Sequence, residues 1–430
     1  PRGGFRPVPS PHTPRFDLAR VEQAARRYGT PLFLYDLARL ERQYRNLRSA
    51  LPPAAEVFFA LKANGSLGLC RRLAELGCGA EVSSLGELAT AKAAGVPAAR
   101  MIASGPAKSL AELRAAVSAR VAWVVVESEG EAERLSLVAA EQGRVQPVLA
   151  RLHPSAQLTG EGLAIARGEC KFGIPEERAE PALARILELP GLRLEGIHVY
   201  TESGVLDASR LLASHGYVAR LALRLRRAGF PLKVVDFGGG LGVPYREGEA
   251  GFDLEAYATG FAGLLAELGG GWRCLFEPGR YLVAECGALA MRVLDVRDSG
   301  SRRFVLVDAG IHRLYRSWLA QANRWLEVVG GGNREARTVT LAGPLPSPQD
   351  VLVEDVALPS PEVGDLLLLR GCGAYAYHHS LLHFTLRPTA AEVALDGDGL
   401  WLLRRPGSAE DFLRDQFPAS SDSPGKEIGE

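Results

Sequence analysis

Between residues 37 and 285, short apolar or β-branched runs alternate with longer segments of helical period, and no other feature constrains the fold as strongly. Eight such runs occur: EVFFALKAN, GAEVSS, RMIASGP, AWVVVES, QPVLARLHP, LRLEGIHVY, LKVVDFGGG and RCLFEPG. Segments such as LGLCRRLAELG, LGELATAKAAG, SLAELRAAVSA and YVARLALRLRRAG separate them. A parallel strand needs a crossover, usually a helix, before the next, so this pattern predicts βα units. Eight of them match a closed (β/α)8 barrel better than an open sheet.

Polar and glycine residues gather just past the apolar part of each run. They are Lys62 and Asn64, Glu81, Ser104, Glu127, Arg151 and His153, His198, Gly238 to Gly240, then Glu277 and Arg280. Barrel active sites lie at the C-terminal ends of the strands, so these positions are the candidate site. After residue 286 the pattern changes to strands without long helices, in ALAMRVLDVRD, RRFVLVDAG, ARTVTLAG, DLLLLRG, HFTLRP, EVALDG and LWLLRRP. This predicts a mainly antiparallel β domain. The expected division is an N-terminal segment over 1–36, whose PLFLYD strand is a candidate to join that β domain, the barrel over 37–285, the β domain over 286–405, and a flexible tail over 406–430, where Pro, Ser, Gly and acidic residues dominate.

Fifty basic and fifty acidic residues cancel, so no global field recruits nucleic acid or an anionic membrane, and a small-molecule partner is expected. The six cysteines show no CxxC pair and no metal-ligand spacing with histidine, so no metal site is expected. No run approaches the roughly 18 to 20 apolar residues of a membrane span, and the N-terminus is proline-rich and polar, unlike a signal peptide. The expected location is the cytoplasm.

Three elements carry chemistry. Lys62 ends an apolar strand, where partial desolvation lets an amine form a Schiff base, although a strand-end lysine taken alone is a solvated residue. VVDFGGGLG ends the seventh run with three glycines, which admit a phosphate close to backbone amides; a tight turn is the plainer alternative. FEPGRYL sets Glu277 and Arg280 at the end of the eighth, where they hold opposite ends of one cofactor or pair with each other.

Taken together and in order, ALKAN, EVSSLGELATAKAAG, CKFGI, GIHVY, DFGGGLG, EPGR, DAG, GPLPSPQD and GAYA resemble the fold-type III pyridoxal-phosphate decarboxylases, which include diaminopimelate, ornithine and arginine decarboxylases. The resemblance covers about residues 25 to 400 and implies pyridoxal 5'-phosphate as cofactor. It implies Lys62 as the Schiff-base lysine, Glu81 beside that linkage, His198 stacked on the pyridine ring and Glu277 paired with the ring nitrogen. Gly239, Gly240, Gly279 and Arg280 would hold phosphate, with Thr201 in place of the usual serine and Tyr375 reaching in from the β domain. It further implies a homodimer with shared active sites, Arg316 as a substrate-carboxylate ligand and Ser347 beside the substrate.

Where such enzymes carry a cysteine assigned to protonate Cα, this chain has Pro346, and Ser347, water, Lys62, His378 and His379 are the substitutes. GPLPSPQDVLVEDVALP is similar to the branch acting in siderophore and antibiotic pathways. The implied activity is removal of the α-carboxylate from a diaminopimelate-like, pathway-specific or carrier-protein-bound amino acid. Pro346 leaves two alternatives open: a different outcome at Cα, such as racemisation or oxidative decarboxylation, and a catalytically inactive regulator of the same fold.

Overall fold

The computed structural model describes residues 15–155, the backbone of 163–164, and residues 170–246, 248–315, 325–331 and 334–417. Strand β1 (Leu32–Asp36) precedes the barrel. The barrel strands are β2 (Ala55–Ala60), β3 (Gly79–Val82), β4 (Met101–Ala103), β5 (Trp123–Val126), β6 (Gln146–His153), β9 (Leu192–His198), β11 (Val234–Asp236) and β12 (Arg273–Phe276). Two-residue strands β7 (Leu163–Ala164), β8 (Ile174–Pro175) and β10 (Glu202–Ser203) lie in the loops between them. The order β5-β4-β3-β2-β12-β11-β9-β6 closes on itself through β5 and β6, and every one of these pairings is parallel. The fold is therefore the (β/α)8 barrel that the alternation predicts.

Serine starts the helices that follow β3, β4 and β5. Ser84, Ser109 and Ser128 each accept a hydrogen bond from the backbone N–H three residues on, which satisfies a donor the first helical turn leaves unpaired. Side chains alternate along the strands, and one set, Phe58, Ile102, Trp123, Val125, Leu149, Val234 and Leu275, forms its own apolar cluster inside the barrel. Strand period 2 then carries the same inward face up to Ala60, Ser104, Glu127, Arg151, Asp236 and Glu277. The barrel thus has an apolar floor and a titratable upper layer.

The second sheet contains β13 (Gly287–Ser299), β14 (Arg302–Val307), β15 (Leu326–Val329), β16 (Ala336–Ala342), β17 (Val351–Pro359), β18 (Leu366–Arg370), β19 (Ala391–Asp396) and β20 (Gly399–Arg404). Its order is β17-β16-β14-β13-β1-β19-β20, with β18 on β13 and β15 on β18. All pairings are antiparallel except β1 with β19 and β14 with β16. HFTLRP does not form a strand. It contains a 3-10 turn over Phe384–Leu386 in which Thr385 and Leu386 take φ of 58° and 50°, left-handed backbone that cannot continue a ladder. Sequence reading missed β15 and β17. Past β20, Arg405 pairs with Asp411 at 2.7 Å beside a 3-10 turn over Glu410–Phe412, while residues 418–430 lie outside the described residues.

The β sheet meets the barrel at its mouth. The Asn64 side chain donates to the Gly373 carbonyl at 2.8 Å, and the Tyr375 N–H to the Ala63 carbonyl at 2.7 Å. The backbones approach so closely that a Cβ on Gly373 would lie 1.6 Å from the Val283 oxygen, so only glycine fits there. Among the described residues no helix is long and apolar enough to cross a membrane.

Candidate active site

A cavity of about 510 Å³ opens at the C-terminal end of the barrel, and Lys62, His198, Gly239, Glu277, Arg280 and Tyr375 are among the residues lining it. Lys62 sits in the 3-10 turn that follows β2, and its Nζ donates to Glu81 Oε2. Glu81 is fully buried, and its other oxygen accepts from Ser83 Oγ at 2.9 Å and from Ser104 Oγ. Burial opposes the charge on Lys62, yet Glu81, with Glu277 and Tyr375 adding to it, holds the ammonium above the ordinary lysine range.

Across the barrel, His198 Nε2 lies 3.2 Å from Glu277 Oε2, and both side chains are buried. Burial pushes Glu277 up, but the charge and hydrogen bond of His198, followed by Lys62, outweigh it and hold the carboxyl at about 2. Glu277 is thus a fixed carboxylate. Beneath it lies Asp236, whose Oδ1 accepts from the Gly238 N–H at 2.8 Å. Burial and then the charge of Glu277 push Asp236 well up, so Asp236 is the neutral acid of the pair. His198, Asp236 and Glu277 each place one ligand-type atom within 4.8 Å of the others. A protonated Asp236 makes this a proton-sharing cluster rather than a cation cage.

Because an amide does not titrate, Asp236→Asn provides a pH test of this reading. A raised carboxyl contributes most below its unfolded value, about 4, and that contribution is lost as pH rises toward the folded value. The stability of Asp236→Asn relative to the parent should therefore climb with pH above about 4, as read from urea unfolding at pH 5 and pH 8. A constant difference would place the proton elsewhere.

The third part of the cavity is cationic and glycine-lined. Arg280 Nη1 donates to the Tyr245 hydroxyl at 3.3 Å, and its guanidinium lies 4.8 Å from the Tyr375 ring centroid. A Cβ on Gly239 would come 2.7 Å from the Glu277 carbonyl oxygen, and one on Gly279 2.8 Å from the Ala63 Cβ. Tyr375, at φ 50°, aims its ring into this corner, and burial pushes its hydroxyl up to about 12.

The structure brings together Lys62, Glu81, His198, Gly239, Gly240, Glu277, Gly279, Arg280 and Tyr375. Thr201 is buried and does not line the cavity, whereas Ser203, in the same HVYTESG segment, does. Ser347 is half-buried and Pro346 exposed on a loop that Asp350 fastens by accepting from the Ile311 and Leu345 N–H groups, both at 2.7 Å, and neither residue lines this chain's cavity. Arg316 lies outside the described residues. Sequence reading missed Asp236, although the inward parity of β11 marks it, as well as Ser203 and Tyr200, for which the unusual HVYTESG was the only signal.

The sequence profile of the family described as pyridoxal-dependent decarboxylase, pyridoxal binding domain, matches residues 37–284. The chain belongs to the pyridoxal-dependent decarboxylases. It is 31% identical over 418 residues to the L-glutamyl-[BtrI acyl-carrier protein] decarboxylase of Niallia circulans, covering 94% of this chain and 98% of that protein. It is 35% identical over 399 residues to the diaminopimelate decarboxylase of Pseudomonas aeruginosa, covering 91% and 94%. Among solved structures, the diaminopimelate decarboxylase of Helicobacter pylori complexed with L-lysine superposes with a TM-score of 0.85 at 29% identity, over 92% of this chain and 98% of that one.

The residues of this decarboxylase fit pyridoxal phosphate. His198 Nδ1 is buried without a hydrogen-bond partner among the described residues, and Glu277 presents at the cavity wall the fixed carboxylate that a pyridinium N–H would pair with. Gly239 and Gly279 pack too closely on Glu277 and Ala63 to carry a Cβ, which brings their backbone to the cavity wall beside Arg280, whose guanidinium is the group there that would pair with phosphate.

Proposed function

We propose that this chain is a cytoplasmic, homodimeric pyridoxal-phosphate decarboxylase that removes the α-carboxylate of an amino acid whose distal end is presented on a carrier protein or as a comparable pathway-specific group. The observation that carries the reading is one cavity in which Lys62 on Glu81, Glu277 on His198 and Arg280 beside a glycine cradle stand at three separate corners. Bound pyridoxal phosphate supplies the electron sink that takes up the bonding pair as carbon dioxide departs. Lys62 carries the cofactor and exchanges it for substrate, Glu81 takes up the charge of the Lys62 amine, and Glu277 keeps the ring nitrogen protonated. Arg280 and the glycines fix the phosphate, and His198 fixes the ring plane.

The carrier-bound substrate is favoured by the relative from Niallia circulans, which matches this chain nearly end to end. It is also favoured by the cavity wall: among the described lining residues Glu277 is the one carboxylate, and it is engaged with His198, so a distal ammonium meets no counter-charge there. The loop from Gly343 to Asp350 stands away from this chain's own cavity, which suits a role at the cavity of a second copy.

Mass spectrometry of meso-diaminopimelate and of an L-glutamyl carrier-protein thioester, each incubated in heavy water with protein and pyridoxal phosphate, tests the reading. Loss of carbon dioxide from the thioester with one deuterium gained at Cα is expected. Deuterium uptake with the carboxylate retained would replace decarboxylation by racemisation.

A further inference from the structure

Loss of carbon dioxide leaves Cα one proton short, so a decarboxylase needs an acid facing its cavity. Resting on the decarboxylase reading, we propose that His379 is this acid, delivering the proton to Cα from Nε2. His379 lines the cavity beside Tyr375, with their ring centroids 6.2 Å apart and the planes at 84°. On its other side the imidazole stacks on Tyr315, at 6.4 Å and 26°. Its Nδ1 lies 3.1 Å from the Tyr315 carbonyl oxygen. A carbonyl only accepts, so Nδ1 carries the hydrogen, and Nε2 becomes the position that gains and loses a proton. The side chain is exposed, so water can reprotonate it after each turnover.

The other groups lining the cavity are poorer acids. Glu81 holds the Lys62 ammonium above its ordinary range, and burial holds the Tyr375 hydroxyl at about 12. Arg151 is tied to Glu127 at 2.7 Å, and Arg280 donates to the Tyr245 hydroxyl at 3.3 Å. The hydroxyls of Ser83, Ser104 and Ser203 are weaker acids still. His198 is committed to Glu277. Imidazole is the side chain used most often to pass a proton to a reacting group.

The step balances. The bond from Cα to the carboxyl carbon breaks and a Cα–H bond forms from the same electron pair, which bound pyridoxal phosphate would hold in between. The proton comes from Nε2 of the imidazolium, which is left as a neutral ring protonated on Nδ1, and water restores the second proton.

Two measurements test the assignment. In the protein without cofactor, ¹⁵N NMR should show the His379 ring in the Nδ1–H tautomer with Nε2 titrating; an Nε2–H tautomer would overturn it. In single-turnover reactions with the L-glutamyl thioester or meso-diaminopimelate, His379→Ala should form amine about 10²-fold more slowly than the parent. The ratio of amine formed to carbon dioxide released should also fall below one, and added imidazole should restore both. A His379→Ala enzyme matching the parent in rate within twofold and in product ratio would sink the proposal while leaving the decarboxylase reading intact. A parent that releases no carbon dioxide from either substrate would bring down that reading, and this assignment with it.

Discussion

Lys62→Ala protein reconstituted with pyridoxal phosphate is expected to show no borohydride-stable mass adduct and a turnover at least about 10³-fold below the parent. The size follows from two roles lost together, since the amine both anchors the cofactor and exchanges it for substrate. Position argues for this lysine: it follows directly on β2, inside the ring of strand ends, with a fully buried glutamate as its partner. A lysine in simple contact with water would have no reason to face a carboxylate held by two serine hydroxyls. Lys62→Arg separates chemistry from charge. Arginine keeps a cation beside Glu81, so that residue stays paired, but a guanidinium forms no such linkage. Both variants should lose the adduct, and only the alanine variant should also lose stability. An adduct persisting at full stoichiometry in either variant would move the anchoring amine elsewhere.

Glu277→Gln should lower kcat by about 10²-fold or more while leaving cofactor binding nearly intact. The carboxylate is held at about 2 by His198 and Lys62, so throughout the physiological range it is an ionised acceptor on the cavity wall. Such a group keeps a ring nitrogen protonated, and an amide cannot. The phosphate corner around Arg280 and the glycines is untouched by the change, so affinity should survive where turnover does not. An equal loss in both, measured by cofactor titration and by carbon dioxide release, would assign Glu277 a packing role instead.

Much of this was legible in the residues. Strand period and the crossover requirement of parallel pairing are local, so the eight runs marked the barrel, and the polar residues after each apolar stretch marked its mouth. The ordered motifs marked Lys62, His198, Glu277 and Arg280. HFTLRP misled because its central Phe, Thr and Leu are apolar or favour strands, while left-handed φ at Thr385 and Leu386, invisible in composition, breaks the ladder. β15 was hidden because four residues, LEVV, are too few to show a period, and β17 because its faces do not alternate regularly where its pairing with β16 shifts register.

The sequence by itself determined the barrel, the antiparallel-rich sheet and the charged layer at the strand ends, because each rests on side-chain period and backbone chemistry repeated every few residues. Tertiary structure alone decided which of those charges touch. Lys62 and Glu81 are 19 residues apart, His198 and Glu277 79 apart, and Asn64 and Gly373 309 apart. It alone placed Ser203 rather than Thr201, and His379 rather than Ser347, at the cavity wall. Such pairings depend on how a closed ring of strands and a second sheet converge in space, and protonation states follow from burial and neighbouring charge, neither of which is a property of any segment alone.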